Sequence, residues 1–162
     1  MHYLVGMIVK AESAEEALEV AEQDADTLVE QGYYDYHSFE GRWGESEALP
    51  LGSEKAQQII KELMEADRAD FDRGIEAVRY MIENYTDDQI YNETFSKEDK
   101  ENTSFYLSRY QFGVLYNNNS GGGVFALDGD LWGSKLDKDA DLKYILDKGT
   151  DDLWLVTADF HN

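Results

Sequence analysis

The sequence predicts an α+β fold in one domain, a mostly antiparallel sheet with helices on one face. Three observations predict it. An apolar opening run is followed at once by a capped amphipathic helix and then by an aromatic run. A long stretch of three- and four-residue apolar steps fills the middle of the chain. The last third returns to strand texture, broken by Asn- and Gly-rich turns.

The first strand is Tyr3-Leu4-Val5-Gly6-Met7-Ile8-Val9, an apolar run too short to span a bilayer and without a basic leader, so a cytoplasmic or virion protein is expected. Ser13-Ala14-Glu15-Glu16 is a capping box, in which a Ser oxygen and a Glu three residues on satisfy backbone N–H groups at a helix start. Ala14, Ala17, Leu18, Ala21, Ala25, Leu28 and Val29 then recur at helical spacing, and Gly32 supplies the stop. This places a helix over about 14–31. Residues 33–39 read as an aromatic-rich strand, and residues 44–52, with the single proline Pro50, as a turn.

From Ser53 the residues Ile60, Met64, Phe71, Ile75, Val78 and Ile82 form one stripe, a helical insertion over about 53–91 as a single helix or two. Thr86-Asp87-Asp88-Gln89 is a second capping box inside it. The polar segment 92–104 reads as a mobile loop. Phe105 to Tyr116 and Val124 to Leu127 read as a strand pair joined by the Asn- and Gly-rich turn 117–123. A helix over Asp139 to Asp147, stopped by Gly149, and a strand over Leu153 to Phe160 complete the chain. The order fits a ferredoxin-like split βαβ arrangement with the helical segment inserted.

The 35 Asp and Glu outnumber the 14 Lys and Arg, for a net charge of −21, yet aromatic residues make up 13%. Charge without loss of hydrophobic residues argues against disorder. The acids are spread over nearly every segment, which fits adaptation to molar salt, where the Debye length falls to about 3 Å and self-repulsion is screened. Direct nucleic-acid binding is not expected, because phosphate contacts need clustered Lys and Arg. With no cysteine, disulfides, thiolate zinc and cysteine nucleophiles are excluded.

Two constellations carry chemistry. Asp35 and His37, Asp159 and His161, and His2 stand at strand ends, and period two projects each Asp-x-His pair from one face of its strand. In a split βαβ sheet the last strand runs antiparallel beside the first, so all three histidines gather at one edge. Imidazole and carboxylate suit a divalent metal, and an Asp also orients a His as general base. The alternative is that strand ends are polar because they meet water. The second constellation is Gly41-Arg42-Trp43-Gly44, preceded by Tyr34 and Tyr36. Arg42 stacked on an indole suits an anionic group, while a Gly-flanked turn whose Trp43 fills the core fits the same residues.

Asp137-Lys138-Asp139-Ala140-Asp141 begins like a calcium loop, but Leu142 and Lys148 occupy the positions that need Gly and Glu. Gly121-Gly122-Gly123 lacks the spacing and the Lys of a phosphate-binding loop.

The Tyr34-Asp35-Tyr36 and Gly41-Arg42-Trp43-Gly44 segments and the closing Leu153 to His161 run resemble an uncharacterised group of proteins. Its members belong to tailed phages, actinobacteria, haloarchaea and haloarchaeal viruses, and share an aromatic strand running into Gly-Gly-Arg-Trp and a terminal Asp-x-His strand. Here Glu40 replaces the first glycine. The resemblance brings no activity; it implies a haloarchaeal or haloviral source. Nine Lys against five Arg point to a virus or mobile element.

The leading expectation is a halophile-adapted protein without a cofactor that acts by binding a protein partner or by self-assembly, as a virion component or inhibitory factor. The second is a small metal-dependent hydrolase using His2, Asp35, His37, Asp159 and His161, with Arg42 receiving an anionic group. The third is a nucleic-acid mimic.

Overall fold

In the computed structural model, residues 2–117 and 121–162 are described, the side chains of 116 and 117 excepted. The elements in chain order are β1 (His2–Lys10), α1 (Ala14–Glu30), β2 (Tyr36–Ser38), β3 (Glu40–Gly41), β4 (Gly44–Glu45), β5 (Ala48–Pro50), α2 (Glu54–Asn84), α3 (Asp87–Tyr91), α4 (Lys97–Asn102), α5 (Tyr110–Asn117), β6 (Gly123–Ala126), β7 (Ser134–Leu136), α6 (Asp139–Asp147) and β8 (Leu153–His161). The fold is mixed α+β with a mostly antiparallel sheet. It divides into two compact units, residues 1–66 with 121–162, and residues 67–120.

The first unit is built on the sheet β2-β8-β1-β6-β7, with β5 pairing on β8 beyond β2. β8 lies antiparallel along the whole of β1, and β2 pairs antiparallel with its far side. The parallel strands β1 and β2 thus flank β8 and are joined through α1, which is the expected split βαβ unit. Beyond it the arrangement departs from a ferredoxin-like sheet, because β1 takes β6 as a parallel neighbour.

Helices cover both faces of the sheet, not one. The reason is legible in β1 itself, whose apolar residues are consecutive instead of alternating, the pattern of a strand buried on both sides. Val5, Met7 and Val9 join Val156, Ala158, Phe160 and Phe125 beneath Ala17, Ala21, Ala25 and Leu28 of α1. On the opposite face Ile8, Val124, Ala126, Leu153 and Leu155 meet Ala56, Ile60 and Leu63 of α2 and Ile145 of α6. Gly6 permits the close approach there, since a Cβ would stand 2.9 Å from Leu63 Cδ1.

The ends of α1 follow their local chemistry. Ser13 Oγ accepts the Glu16 N–H, while the Glu16 carboxylate takes the N–H of Glu12, one residue earlier than a capping box requires. At the other end Gly32 has φ +77, and the N–H groups of Gly32 and Tyr33 reach back to Val29 and Leu28. In α6, Asp141 accepts the N–H groups of Asp137 and Lys138 at 2.9 and 3.0 Å, so the last acid of that calcium-like string caps a helix.

The second unit takes residues 67–84 of α2, and the Thr86–Gln89 capping box at α3 is complete. The polar segment 92–104 holds α4, whose Asp99 accepts the hydroxyls of Tyr80 and Tyr85. Met81, Phe95 and Leu107 form its core. The strand expected over Phe105 to Tyr116 is instead irregular chain followed by α5. Its aromatic residues favour a strand, but Gln111, Val114 and Leu115, at helical spacing, pack against Gly74 of α2. The expected hairpin is therefore not formed, and residues 118–120 of its turn lie outside the described residues. Among the described residues no helix is long and apolar enough to cross a membrane.

Candidate functional site

Pairing of β1, β8 and β2 puts His2, His161 and Tyr36 opposite one another at one end of the sheet. With period-two alternation, His2, Asp159, His161 and Tyr36 share one face. The His161 ring is stacked on Tyr36 with centroids 4.8 Å apart and meets the His2 ring edge-on at 5.0 Å. Tyr36 remains half exposed.

Asp159 lies beneath this cluster and is 7% exposed. Its carboxylate bonds His2 Nδ1, 3.0 Å from Oδ1 and 3.1 Å from Oδ2, and Oδ2 accepts the backbone N–H of Arg42 at 2.9 Å. Burial pushes the carboxyl up. The Arg42 N–H, the His2 bond and the positive fields of His2 and Arg42 outweigh it, holding the group below the usual carboxylate value.

Asp159 also organises the segment that follows β2. Ser38 pairs with Asp159 and Ala48 with Val156, so nine residues of one strand stand against two of the other. The surplus is thrown out as the β3–β4 hairpin, with Arg42 and Trp43 at its tip. Gly41 is required at its base, because a Cβ there would collide with the Asp159 side chain. Gly44 turns the chain back with φ +101. The hairpin is fastened further by Ser46, whose hydroxyl donates to Thr157 O at 2.5 Å and whose N–H donates to Phe39 O at 2.7 Å.

The expected residues thus divide. His2, Asp159, His161 and Tyr36 are brought together. Asp35 stays at the margin, its N–H donating to His161 O at 2.8 Å and its exposed carboxylate 3.8 Å from His161 Nδ1. His37 does not join them. It pairs with Phe160 and so lies on the α1 face, packed on Phe39 and Phe160, with Nε2 bonded to Asp26 at 2.9 Å and Nδ1 buried without a hydrogen-bond partner. The three histidines stand at one end of the sheet but on two faces, His2 and His161 on one and His37 on the other. Among the described residues no three of His, Asp or Glu converge on a point that would hold a metal.

Tyr34 is a core residue, packed on Phe160 with centroids 4.5 Å apart, and is not available for binding. Trp43 does the reverse of the core-filling expectation: it is 48% exposed at the hairpin tip. Arg42 contributes its backbone N–H to Asp159, a role that no side-chain motif announces. The requirement for Gly41 was equally hidden, since it follows from the side chain of a residue 118 positions away.

No curated protein and no solved structure shows significant similarity to the chain. A family model does match it over residues 1–162, and the chain belongs to that family, described as a domain of unknown function, DUF7995.

Proposed function

We propose that the chain is a protein-binding module that docks a partner protein on the sheet-end surface of Tyr36, His2 and His161 together with the Arg42–Trp43 hairpin. One observation carries this reading: a half-exposed Trp stands on a two-residue hairpin tip whose base is pinned to a buried, hydrogen-bonded carboxylate. Exposed Trp, Tyr and Arg are the residues that dominate binding energy at interfaces. Holding them in place beforehand lowers the ordering cost of association.

The surrounding acidity, −21 in net charge, is read as adaptation to molar salt, and the source as a haloarchaeal virus or mobile element. In that setting the module acts as a virion component or an inhibitory factor. The test is affinity purification from salt-grown host cells, with the protein and its Trp43→Ala/Tyr36→Ala variant as parallel baits. A partner retained by the first and lost with the second supports the reading. Identical recovery by both contradicts it.

A hydrolase reading has one observation in its favour. The His2 ring is oriented through Nδ1 by a buried carboxylate, the arrangement that prepares an imidazole as general base. Hydrolysis of ester or phosphoester probes that disappears in His2→Gln would move the assignment to that class.

A further inference from the structure

Separately from the sheet-end surface, the second unit presents large aromatic side chains to solvent. Tyr106 is 74% exposed, Tyr91 69%, Tyr110 49% and Phe112 37%. Two contacts tie the segments that carry them: the Arg109 guanidinium lies 5.2 Å from the Tyr91 ring, and Gln111 Nε2 donates to the backbone O of Tyr106 at 3.2 Å. Glu93 is bonded into the same place, accepting the Arg109 N–H at 2.7 Å with the guanidinium Nε at 3.9 Å. At roughly 200 Å² for each fully uncovered ring, these exposures leave about 450 Å² of aromatic surface. That total is more than half of the ~800 Å² that each side of a standard interface buries.

The charge pattern says what meets it. From Asn102 to Asn117, within the second unit, the sequence contains no Asp or Glu over 16 residues, although acids make up 35 of the 162 residues of the chain. Two copies of a chain carrying −21 repel each other wherever carboxylate meets carboxylate. Repulsion is least where the acid-free segments face each other, and Arg109 there is paired with Glu93, so that the pair adds no net charge. A two-fold pairing of this patch with itself is therefore the approach that brings the fewest like charges together. Salt assists it twice, by screening the remaining repulsion and by strengthening apolar burial.

We propose that the surface of Tyr91, Tyr106, Arg109, Tyr110 and Phe112 is a self-association face on which a second copy of this chain docks. Its signature is dimerisation that strengthens as salt is raised, opposite to an interface held by ion pairs. The experiment is sedimentation equilibrium over a concentration series at low and molar salt, using the intact protein, Tyr106→Asp/Tyr110→Asp, and Trp43→Ala. The expected result is a two-fold mass in the parent that grows with salt, at least a tenfold weaker dimer in the tyrosine double variant, and no change in Trp43→Ala. Circular dichroism reports whether the double variant is folded; if it is not, Tyr91→Ser, on an exposed position of α3, replaces it with the same expectation. A parent that stays monomeric at every salt concentration, a dimer that survives the patch variants, or one abolished by Trp43→Ala overturns the proposal.

Discussion

His2 Nδ1 stands 3.0 Å from Oδ1 and 3.1 Å from Oδ2 of Asp159, which joins the first strand of the chain to the last, and Oδ2 also accepts the Arg42 N–H of the hairpin. One buried side chain thereby fixes both the imidazole face and the position of Trp43. Replacing Asp159 with Ala removes the acceptor of the part-buried Arg42 N–H and of the His2 ring, at a cost of up to about 1–3 kcal/mol for each group left without a partner. Urea denaturation at neutral pH should show that loss. Limited proteolysis should cut the 39–47 segment faster in Asp159→Ala than in the parent.

Gly41→Ala tests the same relationship from the other side. The added methyl collides with the Asp159 side chain, so strand or carboxylate must move, at a cost of about 1–3 kcal/mol typical of overpacking. A melting temperature within a degree of the parent would show that the contact is not tight.

The pH dependence of Asp159 has a defined sign. Its folded pKa lies below the unfolded value of 3.8, so the stability it contributes is present above that value and is lost as pH falls through the folded one. The stability gap between the parent and Asp159→Asn should therefore be constant near neutrality and shrink in acid below about pH 4. Chemical denaturation at stepped pH measures it.

Asp24 has the opposite sign. Burial, and secondarily the charge of Asp128, raise its pKa from 3.8 to about 6. Its favourable contribution is complete below 3.8 and is lost as pH rises through 6, so ionised Asp24 opposes folding at neutral pH. Asp24→Asn is expected to be more stable than the parent at pH 8, with the advantage vanishing by pH 4. Equal stability at pH 8 would show that the carboxylate is solvated.

With 35 acids against 14 bases, and ion pairs such as Lys10–Asp152 and Lys61–Glu65 largely exposed, the folded chain is expected to gain from screening. The melting temperature should rise between about 0.1 M and about 1 M KCl, the range over which the Debye length falls from roughly 10 to 3 Å. A fall over that range would remove the salt-adaptation reading.

Local signals carried most of the architecture. Ser13, Gly32, Thr86 and Gly149 mark element ends whose hydrogen bonds are made within a few residues, and the structure places helix ends at each. The antiparallel β1–β8 pairing followed from the split βαβ order, and with it the meeting of His2, Asp159 and His161. What the sequence concealed depends on distant partners. Phe105 to Tyr116 has strand composition, yet part of it is helical, with Gln111, Val114 and Leu115 packed against Gly74. Tyr34 and Trp43 lie nine residues apart with similar chemistry, yet one is core and the other solvent-facing, because the strand pairing throws the intervening chain outward at Asp159. His37 carries the same Asp-x-His spacing as His161, but the two lie on opposite faces of the sheet, since Tyr36, not His37, is its register partner.

The most direct test of the proposed binding surface is site-specific photo-crosslinking in native cells, with a photoreactive amino acid replacing Trp43 in one sample and Trp132 in another. Trp132 is also part exposed in the same unit but lies away from the hairpin, packed edge-on against Tyr144. A discrete crosslinked partner protein is expected from position 43 and none from position 132. Equal crosslinking from both positions, or none from position 43, would contradict that expectation.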